Sequence, residues 1–207
     1  MDKIREIHNK WLIKYEYLEV KANNSVGGIL TLWDPQKFGI LDTEASMNYL
    51  SLVCQPLGDQ ESYMITNAYG PQKQEDKQKL LTSLKELRER SLCALGDFNM
   101  IRSLTEKKGG TRKLGRDSIA FQNFMNNMGL VDTEIANGIF TWNNKRGGAS
   151  QVASKLDRFI ISEDLLITGF DMSALILPFG GSEHLPVQLE ATFMGTPRNI
   201  PFRFENV

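Results

Sequence analysis

Cysteine is scarce in this chain: there are two in 207 residues, Cys54 and Cys93, each inside an apolar strand-like run. Two thiols so placed point to a reducing compartment, and a disulfide between them is the less favoured reading. Long apolar runs are missing as well. No segment approaches the roughly 18 uninterrupted apolar residues of a membrane span, and no membrane partner is expected. The start, MDKIREIHNK, is charged and lacks the apolar centre of a secretory signal. The chain therefore reads as intracellular, with nucleus and cytoplasm both open. Charge excess is missing too: 24 basic against 25 acidic residues give a net charge of -1. No global basic field announces a nucleic acid, so any such contact has to be local. Repeats, low-complexity blocks and interior linkers are absent. The length suits one sizeable core, so residues 1–195 read as a single domain and 196–207 as an extended exit segment.

What is present is a succession of short strands and a few amphipathic helices. Ile4, Ile7, Trp11 and Leu12 fall near helical spacing. Strand candidates are Tyr15 to Val20, Gly28 to Trp33, Tyr49 to Gln55, Ser62 to Gly70 and the LCAL run from Leu92. Glu75 to Arg90 is helical, with Leu80, Leu81, Leu84 and Leu87 on one face. Residues 101–116 are polar and Gly-rich, hence loop. Ser118 to Met128 forms another helix. Phe140 to Trp142, Leu156 to Ile161, Leu175 to Pro178 and Val187 to Phe193 complete the strands. Several strands follow one another without a crossover helix, which favours a mixed, partly antiparallel sheet pair layered with helices over a βαβ array.

Four stretches carry chemistry. In TNAYGP, alternation puts Asn67 and Tyr69 on one side of a strand end. In LCALGDFNM, an apolar strand stops at Gly96 and presents Asp97 and Asn99. Alternation would set the two side by side, and an Asx turn closing the strand is the competing reading. In LDRF, Asp157 lies within an apolar strand and needs a partner, because burying an unpaired carboxylate is costly. Arg158 points to the opposite face, so the partner is either a histidine from elsewhere, whose tautomer the acid would fix, or a structural cation. In GGSEHLP, His184 sits beside Glu183 ahead of a strand; the other histidine is His8. Lys107, Lys108, Arg112, Lys113 and Arg116 crowd one loop, and Lys145 and Arg146 another, as phosphate-neutralising clusters do. Trp142 reads as a core residue.

NxYGP, GDFN, LDR and S-acid-H-x-P, in that order, resemble the endonuclease/exonuclease/phosphatase superfamily. With SVGGILTLWD, SLTEKKGG, FTWNNKRGG and PFRFEN, the chain looks most like the endonuclease domain of plant LINE-type (non-LTR) retrotransposons. The resemblance covers nearly the whole chain, and four motifs in fixed order are specific where one alone is weak. It implies an α/β (α+β) fold: a four-layer, DNase I-like sandwich of two mixed β-sheets flanked by helices. The implied activity is Mg²⁺-dependent nicking of duplex DNA, with Mn²⁺ as an alternative ion. A reverse transcriptase, linked in the parent element, is absent from this sequence. By the same resemblance His184 would align or activate the attacking water and Asp157 would hold its imidazole. Asp97 would act near the leaving group or nucleophile, Asn99 would stabilise phosphate charge, and Tyr69 would offer its hydroxyl. Asp97 and Glu183 would hold the metal, and Asn67, Ser182, Lys145 and Arg146 would bind substrate.

Two departures qualify the activity. Ser182-Glu183-His184 stands where the family has S-D-H, and Mg²⁺ tolerates little change in ligand reach. The family's chain also begins earlier, with two strands that carry a catalytic asparagine and a metal-binding glutamate, which have no counterpart upstream of SVGG. The expectation is a domain without its N-terminal strands, weakened or inactive, and prone to self-association through unpaired strand edges. The alternatives are a non-catalytic remnant that keeps some nucleic-acid binding and a phosphatase acting on small phosphoesters.

Overall fold

A computed structural model describes residues 12–22, 27–87, 92–111, 113–167, 169–178 and 181–193. The helix expected over Ile4 to Leu12 lies, but for its last residue, outside them, as does the exit segment.

The centre is a six-stranded mixed sheet in the order β3-β4-β5-β6-β11-β8. Its strands are β3 (Phe38–Ser46), β4 (Tyr49–Pro56), β5 (Tyr63–Tyr69), β6 (Leu92–Asp97), β8 (Leu130–Asp132) and β11 (Asp157–Ser162). β5 and β6 run parallel through the helix α1 (Gln74–Glu86), and the other neighbours are antiparallel. β4 reads as an unbroken apolar run because Tyr49 to Cys54 are buried on both sheet faces. On one face, Met64, Ala68, Ala94 and Ile160 meet Leu80, Leu81 and Leu84 of α1, and Phe121, Phe124 and Met125 of α2 (Arg116–Met128).

The opposite face carries two hairpins. β1 (Glu16–Val20) pairs with β2 (Ile29–Trp33), and β12 (Phe170–Ile176) with β13 (Val187–Phe193). Tyr63, Cys93 and Ile161 of the sheet pack there against Phe170, Met172 and Leu189. The architecture is thus mixed α+β, as expected, with helices, central sheet and a second strand layer stacked in that order.

Several elements went unread. β3 is an edge strand whose residues are largely exposed, so it shows no alternation, and only its pairing with β4 makes it a strand. β8, the short β10 (Ala153–Ser154) and the five-residue helix α3 (Glu163–Ile167) carry no periodicity of their own. β12 begins at Phe170, five residues ahead of the predicted Leu175. The loop 101–116 contains the two-residue strand β7 (Lys107–Lys108), which pairs through β10 with β9 (Trp142–Asn143).

Arg158 points into the helix side of the sheet, opposite to Asp157. It is 1 % exposed. Its guanidinium donates to both carboxylate oxygens of Glu106 at 3.2 and 3.0 Å, to Asp132 at 2.6 Å, and to the carbonyls of Met100 and Lys155 at 3.0 and 2.8 Å. This cluster ties the polar 101–106 loop to the core beneath the site.

Candidate active site

Tyr69 ends β5, Asp97 ends β6 and Asp157 begins β11. The first two are register partners, as are the last two. The three therefore form one row across adjacent strands, on the hairpin face of the sheet. Tyr69 turns its ring toward Gly27. Gly96 has φ +129°, and a Cβ there would collide with the Ala68 carbonyl. Only glycine lets β6 lie this close to β5 just before Asp97.

Asn99 reaches Asp97 by a route other than strand alternation. The strand ends at Asp97, and the Asn99 backbone turns left-handed with φ +51°. The Asn99 N–H donates to Asp97 Oδ1 at 2.9 Å, an Asx turn, while its side-chain Nδ2 donates to Asp97 Oδ2 at 3.0 Å and to the Gly70 carbonyl at 2.7 Å. Alternation does not carry past Asp97; the Asx turn is what aims the amide. Gln72 donates to Asn99 Oδ1 at 3.1 Å and completes the orientation.

His184 comes from the loop ahead of β13. Its Nδ1 lies 2.9 Å from Asp157 Oδ2 and its Nε2 3.9 Å from Asp97 Oδ2. The hydrogen bond with Asp157 raises the imidazole pKa against the effect of burial, and the negative charges of Asp157, Asp97 and Glu183 add to the rise. Asp97 is shifted up as well. Burial comes first and the neighbouring Asp157 charge second, opposed by the Asn99 N–H and the charges of His184 and Lys77.

Thr141, fully buried, holds this arrangement from beneath. Its hydroxyl accepts the N–H groups of Leu156 and Asp157 at 3.0 and 2.9 Å, and its carbonyl accepts the Leu185 N–H at 2.7 Å. Trp142 bridges to His184, and its indole N–H donates to Glu183 Oε2 at 3.2 Å. No motif marks Thr141 for this supporting part, and Trp142, expected in the core, is half-buried beside the site.

The structure brings Asp97, Asn99, Asp157 and His184 into direct contact, with Tyr69 in the same row. Ser182 stands close behind, its hydroxyl accepting the His184 N–H at 3.1 Å. Asn67 donates to the Leu30 carbonyl and the Thr31 hydroxyl, fastening the first hairpin to the sheet. Lys145 and Arg146 are exposed on the loop after β9, whose Asn143 N–H is bonded to the Glu183 carbonyl at 3.0 Å. The loop is thereby attached to the histidine segment.

A metal ion has a fitting donor set. Oxygens of Asp97 and Asp157 and a nitrogen of His184 lie within 4.8 Å of one another. Burial first and the facing Asp157 second shift Asp97 up, and a hard cation held there would offset both by favouring the ionised carboxylates. Glu183, expected among the ligands, stands apart from this group with its carboxylate on Trp142.

No protein-family model matches this sequence, and no curated protein matches it. Solved structures match by fold. The endonuclease domain of TRAS1, a telomere-specific non-LTR retrotransposon, aligns over 87% of this chain and 80% of its own, with TM-score 0.65 and 14% identity. An endonuclease/exonuclease/phosphatase family protein from Bacteroides thetaiotaomicron covers 91% and 79%, with TM-score 0.60 and 16% identity. A mannosyl-6-phosphatase from the same organism covers 87% and 78%, with TM-score 0.56 and 16% identity. The chain has the mixed α+β fold of the endonuclease/exonuclease/phosphatase proteins. No helix among the described residues is long and apolar enough to cross a membrane.

Proposed function

We propose that this chain is a metal-dependent phosphodiesterase of the endonuclease type that nicks DNA. The observation that carries the reading is the contiguous set Asp157–His184–Asp97–Asn99 at the ends of central strands, 2.9 Å and 3.9 Å from the two imidazole nitrogens to the flanking acids. Asp157 holds Nδ1 and fixes the ring, so Nε2 faces the site. There it takes a proton from an attacking water or, when protonated, neutralises charge on a phosphoryl oxygen. The Asn99 amide and the Tyr69 hydroxyl line the same row as donors to phosphate oxygens. Bound Mg²⁺ or Mn²⁺ would supply charge neutralisation at the phosphoryl group, with Asp97 as its protein carboxylate. DNA as substrate is supported by the basic loops: β7 and β9 bring Lys107, Lys108, Lys145 and Arg146 into one small sheet region beside His184.

A second reading, a weakened remnant, is favoured by two contacts. Both Asp97 oxygens already accept Asn99 donors, and Glu183 is engaged by Trp142. Supercoiled plasmid incubated with the protein and Mg²⁺ decides between them. Relaxed circles that disappear with chelator and in His184→Ala support the nuclease. Intact plasmid favours the remnant, and nicking that persists in His184→Ala overturns the site.

A further inference from the structure

Lys77 is a lysine only 8 % exposed, on the first turns of α1, and nothing in the chemistry above uses it. Its Nζ donates to the Asn99 carbonyl at 2.7 Å and to Asp117 Oδ2 at 2.9 Å. Burying an ammonium is costly unless it is paired and bonded, and a tie between two helices needs no buried charge. Asp117 is itself fixed, its other oxygen accepting the Ser118 N–H at 3.0 Å at the start of α2. Burial pushes the Asp117 carboxyl up, but the Lys77 hydrogen bond and charge outweigh it and hold the group below the usual carboxylate range. The Asp117 carboxyl is therefore ionised at neutral pH.

What Lys77 grips is informative. Asn99 adopts a left-handed backbone, uncommon outside glycine though tolerated by asparagine, so contacts that hold it bias which way the turn settles. Every other hold on Asn99 acts through its N–H or its side chain, and among the described residues Lys77 alone takes its carbonyl. We propose that Lys77, clamped between Asp117 and the Asn99 carbonyl, is a positioning residue that sets the left-handed turn and so aims the Asn99 amide at Asp97 and the phosphate site. The catalytic consequence rests on the phosphoesterase reading above, whereas the grip on Asn99 does not.

The test uses two readouts on the whole chain: the Asn99 side-chain amide resonances in ¹⁵N-labelled protein, and plasmid nicking with Mg²⁺. In Lys77→Met the Asn99 resonances shift, and kcat falls about 100-fold, the order expected for a group displaced by about 1 Å, with KM within about 3-fold. Lys77→Arg restores most of both, since it returns a cation to the same two acceptors. Asp117→Asn, which keeps the lysine, gives a smaller change in the same direction and serves if Lys77→Met does not fold. Asn99 resonances unchanged in every folded variant overturn the inference whatever the activity. Shifted resonances in a protein whose wild type cuts no plasmid uphold the clamp and count against the nuclease reading alone. A kcat loss that Lys77→Arg does not recover, with Asn99 unmoved, marks Lys77 as a helix tie only.

Discussion

Replacing Arg158 by methionine strips two buried carboxylates of their shared partner. Glu106 keeps only Arg102, whose N–H donates to it at 2.5 Å and whose guanidinium stands at 3.8 Å, and Asp132 only Lys155, at 2.9 Å. The lost guanidinium is wholly inaccessible and makes three bonds to carboxylate oxygens and two to carbonyls. It also lies over the Phe121 ring at 5.3 Å from the centroid. Removing one side of a buried ion pair costs about 3–5 kcal/mol, mostly because the other side is stranded. In a chain of this size that lowers Tm by roughly 6–20 °C. Urea denaturation at pH 7, followed by tryptophan fluorescence and far-ultraviolet circular dichroism, measures the loss.

The acid limb gives an independent check on the same residue. Burial raises the Glu106 pKa, but the Arg158 hydrogen bonds and charge outweigh it and hold the carboxyl low. A depressed folded value means the contribution is fully present above the ordinary glutamate range, near 4.3. It is lost as pH falls through the folded value. The stability gap between wild type and Arg158→Met should therefore narrow below about pH 4. A double variant that also carries Glu106→Gln should lose less than the single one, because Glu106 is then no longer a stranded charge while Asp132 keeps Lys155 at 2.9 Å. A single-variant loss under about 1 kcal/mol, the range of exposed pairs, would refute the buried-network account. So would a gap that keeps its size into acid.

Other consequences follow from the site. Asp157→Asn should leave the fold intact and lower nicking kcat by about 100- to 10,000-fold, the usual worth of positioned acid–base chemistry; a loss below about 10-fold removes the dyad's role. NMR titration of His184 should place its pKa above the ordinary histidine range, and Asp157→Asn should bring it down. With a raised folded value, this group's contribution to stability is fully present below the ordinary value near 6.5 and is lost as pH rises through the folded one. Mg²⁺ at 100 times its Kd should raise stability by about 2.7 kcal/mol. Asp97→Asn should abolish that rise without lowering the Tm of the metal-free protein at pH 7, because the native Asp97 carboxylate is disfavoured there by burial and by Asp157; a lower metal-free Tm contradicts the charge deficit.

Local pattern by itself determined a good part of this molecule. Period-two alternation separated Asp157 from Arg158 onto opposite faces, and the cost of a lone buried acid called for the partner found in His184. Leucines at helical spacing located α1, and apolar runs located β4, β5, β6 and β13. The order NxYGP, GDFN, LDR, SEH pointed to the residues that gather through its resemblance to a known family; the first three motifs end or begin strands, and His184 lies in the loop ahead of β13. Tertiary structure decided the rest, wherever pairing partners distant in sequence set the conformation. β3 is a strand only because β4 lies beside it, and Glu106 is buried in a polar loop only because Arg158 is there to meet it. Lys77 looks like any solvated helix lysine until the turn at Asn99 comes to rest against it. Glu183, placed by sequence among metal ligands, has its direction set instead by the indole of Trp142. A side chain's neighbours along the chain fix which face it takes, and the free energy of what lies across that face fixes what it does.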